Sequence, residues 1–330
     1  MNIDLFLNSQ PKVLKLINNS FKKNRLVHTY LFEGPRGTSK LEGAYYLAMK
    51  LLCKNKEKSP CFTCEDCKKV LNEVHPNIFY IEPINNMITK DQVEQISKEF
   101  SLTPLSDGVR VYIINEIDKA NQSAANSLLK FFEELEGDKY GILLTENIEA
   151  VLPTIRSRSV VVLFDQLPSS LIKSELISKG VEEEVSSILA ILTNSVTDSL
   201  DLIKEGVILD LIKLVQEITY QIVTKDSSPL IEFFEKGEFL LNIKDKKYHS
   251  LFLDLLITLS NDKLYYVLDQ NEKIVFKNYI SMIGPSIKNS YNKILDEIEL
   301  LLDFKERLRY NINLELFYTQ LIIEMMRYYG

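Results

Sequence analysis

The four cysteines of this chain, Cys53, Cys61, Cys64 and Cys67, fall in one short stretch with the spacing C-x7-C-x2-C-x2-C. Overlapping C-x-x-C pairs let successive thiolates converge on one point without straining the backbone, and four soft sulfur ligands complete the tetrahedron that zinc prefers. With four protein ligands no position is left for water, so such a zinc is structural. It would hold residues 54–68, which have little apolar content of their own with which to fold. Unrelated buried thiols, a disulfide pair and a redox C-x-x-C motif are the competing readings, and the clustering of every cysteine favours zinc. His75 lies nearby but is not expected as a ligand, because four thiolates already fill the shell.

A cytoplasmic setting is expected. The first residues lack the basic and long apolar regions of a secretory signal. No apolar run reaches the roughly 18 residues of a membrane helix, so no membrane partner is expected. At 330 residues the chain suggests two or three domains. Basic and acidic residues balance from Met1 to Asp165, so the remainder carries the whole net charge of -7. Neither half is a basic nucleic-acid-binding body, and contact with DNA would need a local patch or partner subunits.

Short apolar runs at 27–32, 78–81, 111–114, 141–145 and 160–164 read as five buried parallel strands. Between them, 40–53, 90–100 and 123–135 carry apolar residues at three- and four-residue spacing, so helices should cover the sheet. Beyond Leu167-Pro168 the periodicity is helical throughout. The expected organisation is an α/β domain over 1–167 with a zinc module at 53–67, a small all-α domain over 168–205 and a larger all-α domain over 206–330. Within the helical part, Tyr220, Phe233, Phe234, Phe239, Phe252, Tyr265 and Tyr266 read as core rather than as a stacking platform for single strands. Phe317, Tyr318, Met325 and Met326 read either as core or as a contact with a neighbouring subunit.

The first strand runs into Gly34-Pro35-Arg36-Gly37-Thr38-Ser39-Lys40-Leu41, where a phosphate-binding loop would read G-x-x-x-x-G-K-[ST]. Gly34 and Lys40 fit, and Gly37 lies within the loop. Ser39 replaces the second glycine, and Leu41 has no oxygen to offer magnesium. The third strand continues as Asn115-Glu116, where an Asp-Glu pair would anchor the hydrated metal and polarise water. Two losses on the same ion imply that this chain neither binds Mg-ATP productively nor hydrolyses it. Lys40 and Glu116 are either remnants of a nucleotide site or ordinary paired surface charges.

Residues 28–37, the four cysteines, His75-Pro76-Asn77, residues 118–134, 144–147 and 154–159 occur in that order. Together they resemble the clamp-loader branch of the AAA+ family, and within it the delta-prime subunits of bacterial DNA polymerase III. The resemblance covers about the first 165 residues; the helical remainder matches only in length and class. It implies an AAA+ (RecA-like) core, a lid and a collar. The collar would join gamma or tau ATPase subunits and delta in a ring that opens the beta sliding clamp and places it on primed DNA. It also implies a non-hydrolysing stator. Arg158 matches the arginine of the family's S-R-C motif, which reaches the γ-phosphate held by the neighbouring ATPase; a permanently charged, planar guanidinium suits that task. Ser159 stands where the family has cysteine, and Arg156 is a weaker second candidate. Gly137 replaces the usual proline after the helix over 123–135 and could end it through a left-handed cap. Thr145 and Asn147 fall where active relatives keep a γ-phosphate sensor, and here are expected to satisfy buried backbone groups. The alternatives are an active gamma- or tau-like ATPase, or a zinc-containing nucleic-acid-binding regulator.

Overall fold

The computed structural model describes residues 3–101, 108–133 and 138–329. Packing divides the chain into two compact units, Met1–Pro168 and Ser169–Gly330. The first contains α1 (Ile3–Ser9), α2 (Pro11–Lys22), β1 (Thr29–Glu33), α3 (Lys40–Leu52), α4 (Glu65–Leu71), β2 (Ile78–Ile81), α5 (Lys90–Ser101), β3 (Arg110–Ile114), α6 (Gln122–Glu133), β4 (Lys139–Thr145), α7 (Pro153–Arg156) and β5 (Val160–Leu163). All five strands are parallel, in the order β2-β3-β4-β1-β5. The expected cap at Gly137 lies outside the described residues.

Alternation along β1 sorts its side chains to two cores. Tyr30 and Phe32 join Phe6, Tyr46, Met49 and Phe164 on the face covered by α1 and α3. Leu31 joins Tyr112, Leu128, Phe131 and Leu143 on the face covered by α5 and α6. Tyr112 sits opposite Gly141 in the ladder, and a Cβ at Gly141 would come within 1.8 Å of its ring and hydroxyl, so only glycine lets that ring lie across β4. The expectation of five buried strands is corrected at the edges. Val160, Val161 and Leu163 of β5 are exposed, as is Tyr80 of β2, because an edge strand lacks a neighbour on one side.

The second unit is entirely helical among the described residues: α8 (Ser169–Ser178), α9 (Glu183–Leu192), α10 (Val196–Glu205), α11 (Val207–Thr224), α12 (Pro229–Lys236), α13 (Glu238–Asn242), α14 (Lys246–Val267), α15 (Lys277–Ile287), α16 (Tyr291–Arg307) and α17 (Leu314–Tyr329). Ser195 caps α10 by accepting the Asp198 N–H at 3.2 Å. Gly206, at φ 82°, turns the chain from α10 into α11. Phe233 and Phe252 lie fully buried against Tyr318, with ring centroids 5.1 and 5.4 Å away, which is core packing. Phe317, Tyr318 and Met325 are buried within the unit, so the core reading applies to them.

Buried ionisable side chains punctuate this bundle, the Lys263–Glu297 pair and Asp262. Lys263 Nζ donates to Glu297 Oε1 at 2.7 Å and to Tyr329 Oη at 3.2 Å, and Tyr329 donates in turn to Glu297 Oε2 at 2.7 Å. Removing one partner strands the other in an apolar interior. Glu297→Gln should therefore cost about 3–5 kcal/mol in urea unfolding, while Lys263→Met combined with Glu297→Leu should recover most of that loss. Asp262 accepts the N–H groups of Val275 and Phe276 at 3.0 and 2.7 Å, yet burial pushes its carboxyl up to about 6. Folding therefore favours its protonated form. Its contribution is complete below the unfolded value near 4 and is lost as pH rises through 6. The stability of the wild type relative to Asp262→Asn should accordingly fall by on the order of 2–3 kcal/mol between pH 4 and pH 7.

Candidate metal centre and phosphate loop

The four cysteines are brought together by two helix ends. Helix α3 stops at Cys53, which leaves the helical conformation at φ -61°, ψ 129° while its N–H still reaches Met49 O. Helix α4 starts after Cys64, whose sulfur caps it by accepting the Cys67 N–H at 3.4 Å. Cys61 Sγ accepts the Cys64 N–H at 3.3 Å and the Thr63 hydroxyl at 3.6 Å. All four sulfurs lie within 4.8 Å of one another, with Cys53 and Cys67 buried and the other two half-buried. The hydrogen bonds from Thr63 and Cys64 lower the Cys61 thiol to about 6. Burial, followed by the neighbouring sulfurs of Cys64 and Cys53, pushes Cys67 up. Crowded sulfurs that resist ionising together are what a dication relieves. The donor set fits a metal ion of zinc's preferences, with no histidine or carboxylate in it. His75 faces elsewhere: Nδ1 accepts the Asn77 N–H at 3.1 Å, and Nε2 lies 3.5 Å from Asp66 Oδ1 on α4. Its burial lowers its basicity, so it props α4 as a neutral side chain.

The loop after β1 is closed by its own residues. Lys40 Nζ donates to Gly34 O at 2.6 Å and Pro35 O at 2.7 Å, and Thr38 Oγ1 donates to Pro35 O at 2.8 Å. Burial lowers the Lys40 ammonium's basicity, opposed by Glu146, Asp118, Glu116 and Glu42. A Cβ on Gly34 would lie 2.7 Å from Phe164 O, so the loop packs directly on the chain leaving β5. Gly37 and Ser39 both take left-handed conformations, at φ 76° and 62°, and the second is uncomfortable for a serine. Gln10, which sequence reasoning missed, ties the region together: its amide donates to Thr38 O at 3.2 Å and Asp165 O at 2.6 Å and accepts from Asp165 N at 3.1 Å. An isolated glutamine between two helices carries no local signal for such a role.

At the end of β3, Glu116 pairs with Lys119. Thr145 Oγ1 donates to Asp118 Oδ1 at 2.6 Å and accepts the Asn147 N–H at 3.1 Å. Asn147 Oδ1 accepts the Glu149 N–H at 3.0 Å. Thr145 thus serves a carboxylate as well as the backbone, while Asn147 serves the backbone. Arg156 Nη1 bonds Glu149 Oε1 at 3.2 Å. Arg158 is exposed, and its Nη1 donates to Thr154 O at 3.3 Å in α7, joined there by the Ser157 hydroxyl at 3.1 Å.

A family model described as DNA polymerase III, delta subunit, matches residues 9–168. The DNA polymerase III subunit delta′ of Bacillus subtilis is 31% identical over 307 residues, covering 93% of each chain. The chain belongs to the DNA polymerase III delta-prime family. Subunit delta′ of Pseudomonas aeruginosa is 34% identical over 136 residues, 40% of this chain and 42% of that one. Subunit tau of B. subtilis is 31% identical over 150 residues, 45% and 26% of the two chains. A solved gamma subunit-related protein of Thermotoga maritima overlays 95% of this chain and 99% of its own, at a TM-score of 0.45 and 15% identity. No helix among the described residues is long and apolar enough to cross a membrane.

For this delta-prime chain the tightly grouped sulfurs set a direct expectation. Cys67→Ser should weaken zinc retention by more than about 100-fold in chelator competition, because a first ligand is lost rather than a supporting bond.

Proposed function

We propose that this delta-prime chain is a non-hydrolysing stator of the DNA polymerase III clamp loader, and that it offers Arg158 in trans to a neighbouring ATPase subunit. The observation that carries the reading is the side-chain chemistry at the magnesium position: Leu41 has no hydroxyl and Asn115 no carboxylate. The amide at Asn115 keeps an oxygen but not the charge that would hold a divalent cation, Lys40 is bonded to the carbonyls of Gly34 and Pro35, and Glu116 is paired with Lys119. In this reading Gly34, Gly37 and Lys40 form a structural turn rather than a phosphate cradle, and the chain is not a self-contained gamma- or tau-like motor.

Arg158 is the proposed finger. Its side chain is at the surface, and one acceptor it bonds is the neutral carbonyl of Thr154. A phosphate held by a partner offers a charged, bidentate one in its place. The guanidinium can neutralise charge on the transferring phosphoryl group with no change of protonation. Arg156, already paired with Glu149, suits the supporting role better than the finger. In this reading the partners are the gamma or tau and delta subunits, the beta sliding clamp and, through the assembled complex, primed DNA. Residues 168–205 serve as the lid, residues 206–330 as the collar, and Cys53, Cys61, Cys64 and Cys67 hold a structural zinc.

The test is reconstitution with the ATPase and delta subunits, followed by clamp- and DNA-stimulated ATP hydrolysis. Arg158→Ala should cut turnover at the site it serves by roughly 10³-fold or more with assembly intact. The chain alone should show no magnesium-dependent ATP binding. Unchanged hydrolysis in the variant complex would remove the finger, and tight Mg-ATP binding by the chain would remove the stator.

A further inference from the structure

Lys50 is a largely buried residue, and among the described residues no carboxylate forms an ion pair with its ammonium. It is only 6% exposed, in the last turn of α3, and its ammonium donates to Ser59 O at 2.6 Å. Glu57 and Asp138 line the same cavity of about 610 Å³ that Lys50 borders. Phe21 and Tyr46 present ring faces 4.9 and 5.9 Å from the ammonium, which lessens but does not cancel the cost of burying it. A desolvated charge needs a counter-charge.

The two residues joined by the Lys50–Ser59 bond lie just before the first two cysteines in sequence. Lys50 precedes Cys53 by one helical turn, and Ser59 precedes Cys61 by two residues. The contact is reciprocal, since the Ser59 hydroxyl donates back to Lys50 O at 2.8 Å. Lys56 adds a bond to Leu51 O at 3.0 Å. The segment between the first two cysteines is thereby folded back on the end of α3, which brings Cys61 to Cys53. Four thiolates around a dication leave surplus negative charge, and nearby cations and N–H donors are what stabilise such a centre. Cys53 already raises the basicity of Lys50 against the larger effect of burial.

We propose that Lys50 is a positioning residue of the metal centre: clasped to Ser59, it closes the loop between Cys53 and Cys61 and supplies the buried positive charge that balances the metal-bound thiolates. The proposal rests on the metal reading of the four cysteines. It accounts for a buried lysine that the nucleotide site, the arginine finger and the sheet do not use. It also makes the C-x7-C interval more than a spacer, because the loop must be long enough to return to the lysine.

The full chain, loaded with zinc, is tested by competition against a chromophoric chelator and by the rate of zinc release. Lys50→Met, which keeps the apolar stem and removes the charge, should weaken retention by about 10- to 100-fold. Lys50→Arg should recover most of it, and Ser59→Ala should lose a smaller factor of about 3 to 10. Circular dichroism of each metal-free variant reports whether it folds. If Lys50→Met does not, the comparison of Lys50→Arg and Ser59→Ala with wild type decides. Zinc held as tightly by Lys50→Met as by wild type would overturn the proposal, as would unaltered retention in Ser59→Ala if that variant is the one left to decide. A wild-type chain that takes up no zinc would instead bring down the metal reading, and this inference with it.

Discussion

Strand β1 is hydrogen-bonded on both sides, and the chemistry of the first unit depends on where its end falls. Glu33 is in register with Thr145 of β4 and with Leu163 of β5. The next bonds continue outward: Gly34 N–H reaches Thr145 O at 3.3 Å, and Phe164 N–H reaches Glu33 O at 2.7 Å. The phosphate loop, Thr145 and the chain leaving β5 are therefore delivered to one edge of the sheet by ladder register alone. Burial on both faces makes that register hard to shift, since a one-residue slip would exchange Leu31 with Tyr30 and Phe32 between cores of different shape.

Two sites follow from that strand through α3. At the start of α3, Lys40 is turned back onto the loop; at its end, Cys53 begins the metal cluster. At the first site Leu41 carries no hydroxyl and Asn115 no carboxylate, and the chain satisfies the Lys40 ammonium internally through the carbonyls of Gly34 and Pro35. At the second, four cysteine sulfurs are grouped closely enough to hold a metal ion. The two sites sit at opposite ends of one helix and share no residue.

The helical unit solves a different problem. Its long amphipathic helices bury the aromatic rings of Phe233, Phe252 and Tyr318, but also Lys263, Glu297 and Asp262. Lys263 and Glu297 satisfy one another, with Tyr329 completing the set, and this fixes the mutual register of α14, α16 and α17 more narrowly than apolar packing would. Whether such a pair raises stability depends on geometry, because desolvation opposes the attraction.

Much of this protein was legible in its sequence. The five strands lie within a residue or two of their expected bounds, since short apolar runs bounded by turns are local signals. The cysteine spacing picked out four side chains whose sulfurs the fold brings within 4.8 Å of one another, and the lack of a hydroxyl at position 41 and of a carboxylate at position 115 is read directly from side-chain type. Other features came only with the tertiary structure. That β2 and β5 are edges and that Gln10 links the loop to Asp165 depend on contacts between residues distant in sequence, while the pairing of Arg156 with Glu149 and the bond from Lys50 to Ser59 depend on how the fold turns nearby segments together. Sequence determined which ligands and strands were present, through side-chain chemistry and short-range periodicity; the tertiary structure decided which charges meet, because burial and pairing are properties of neighbours that the chain brings together only on folding.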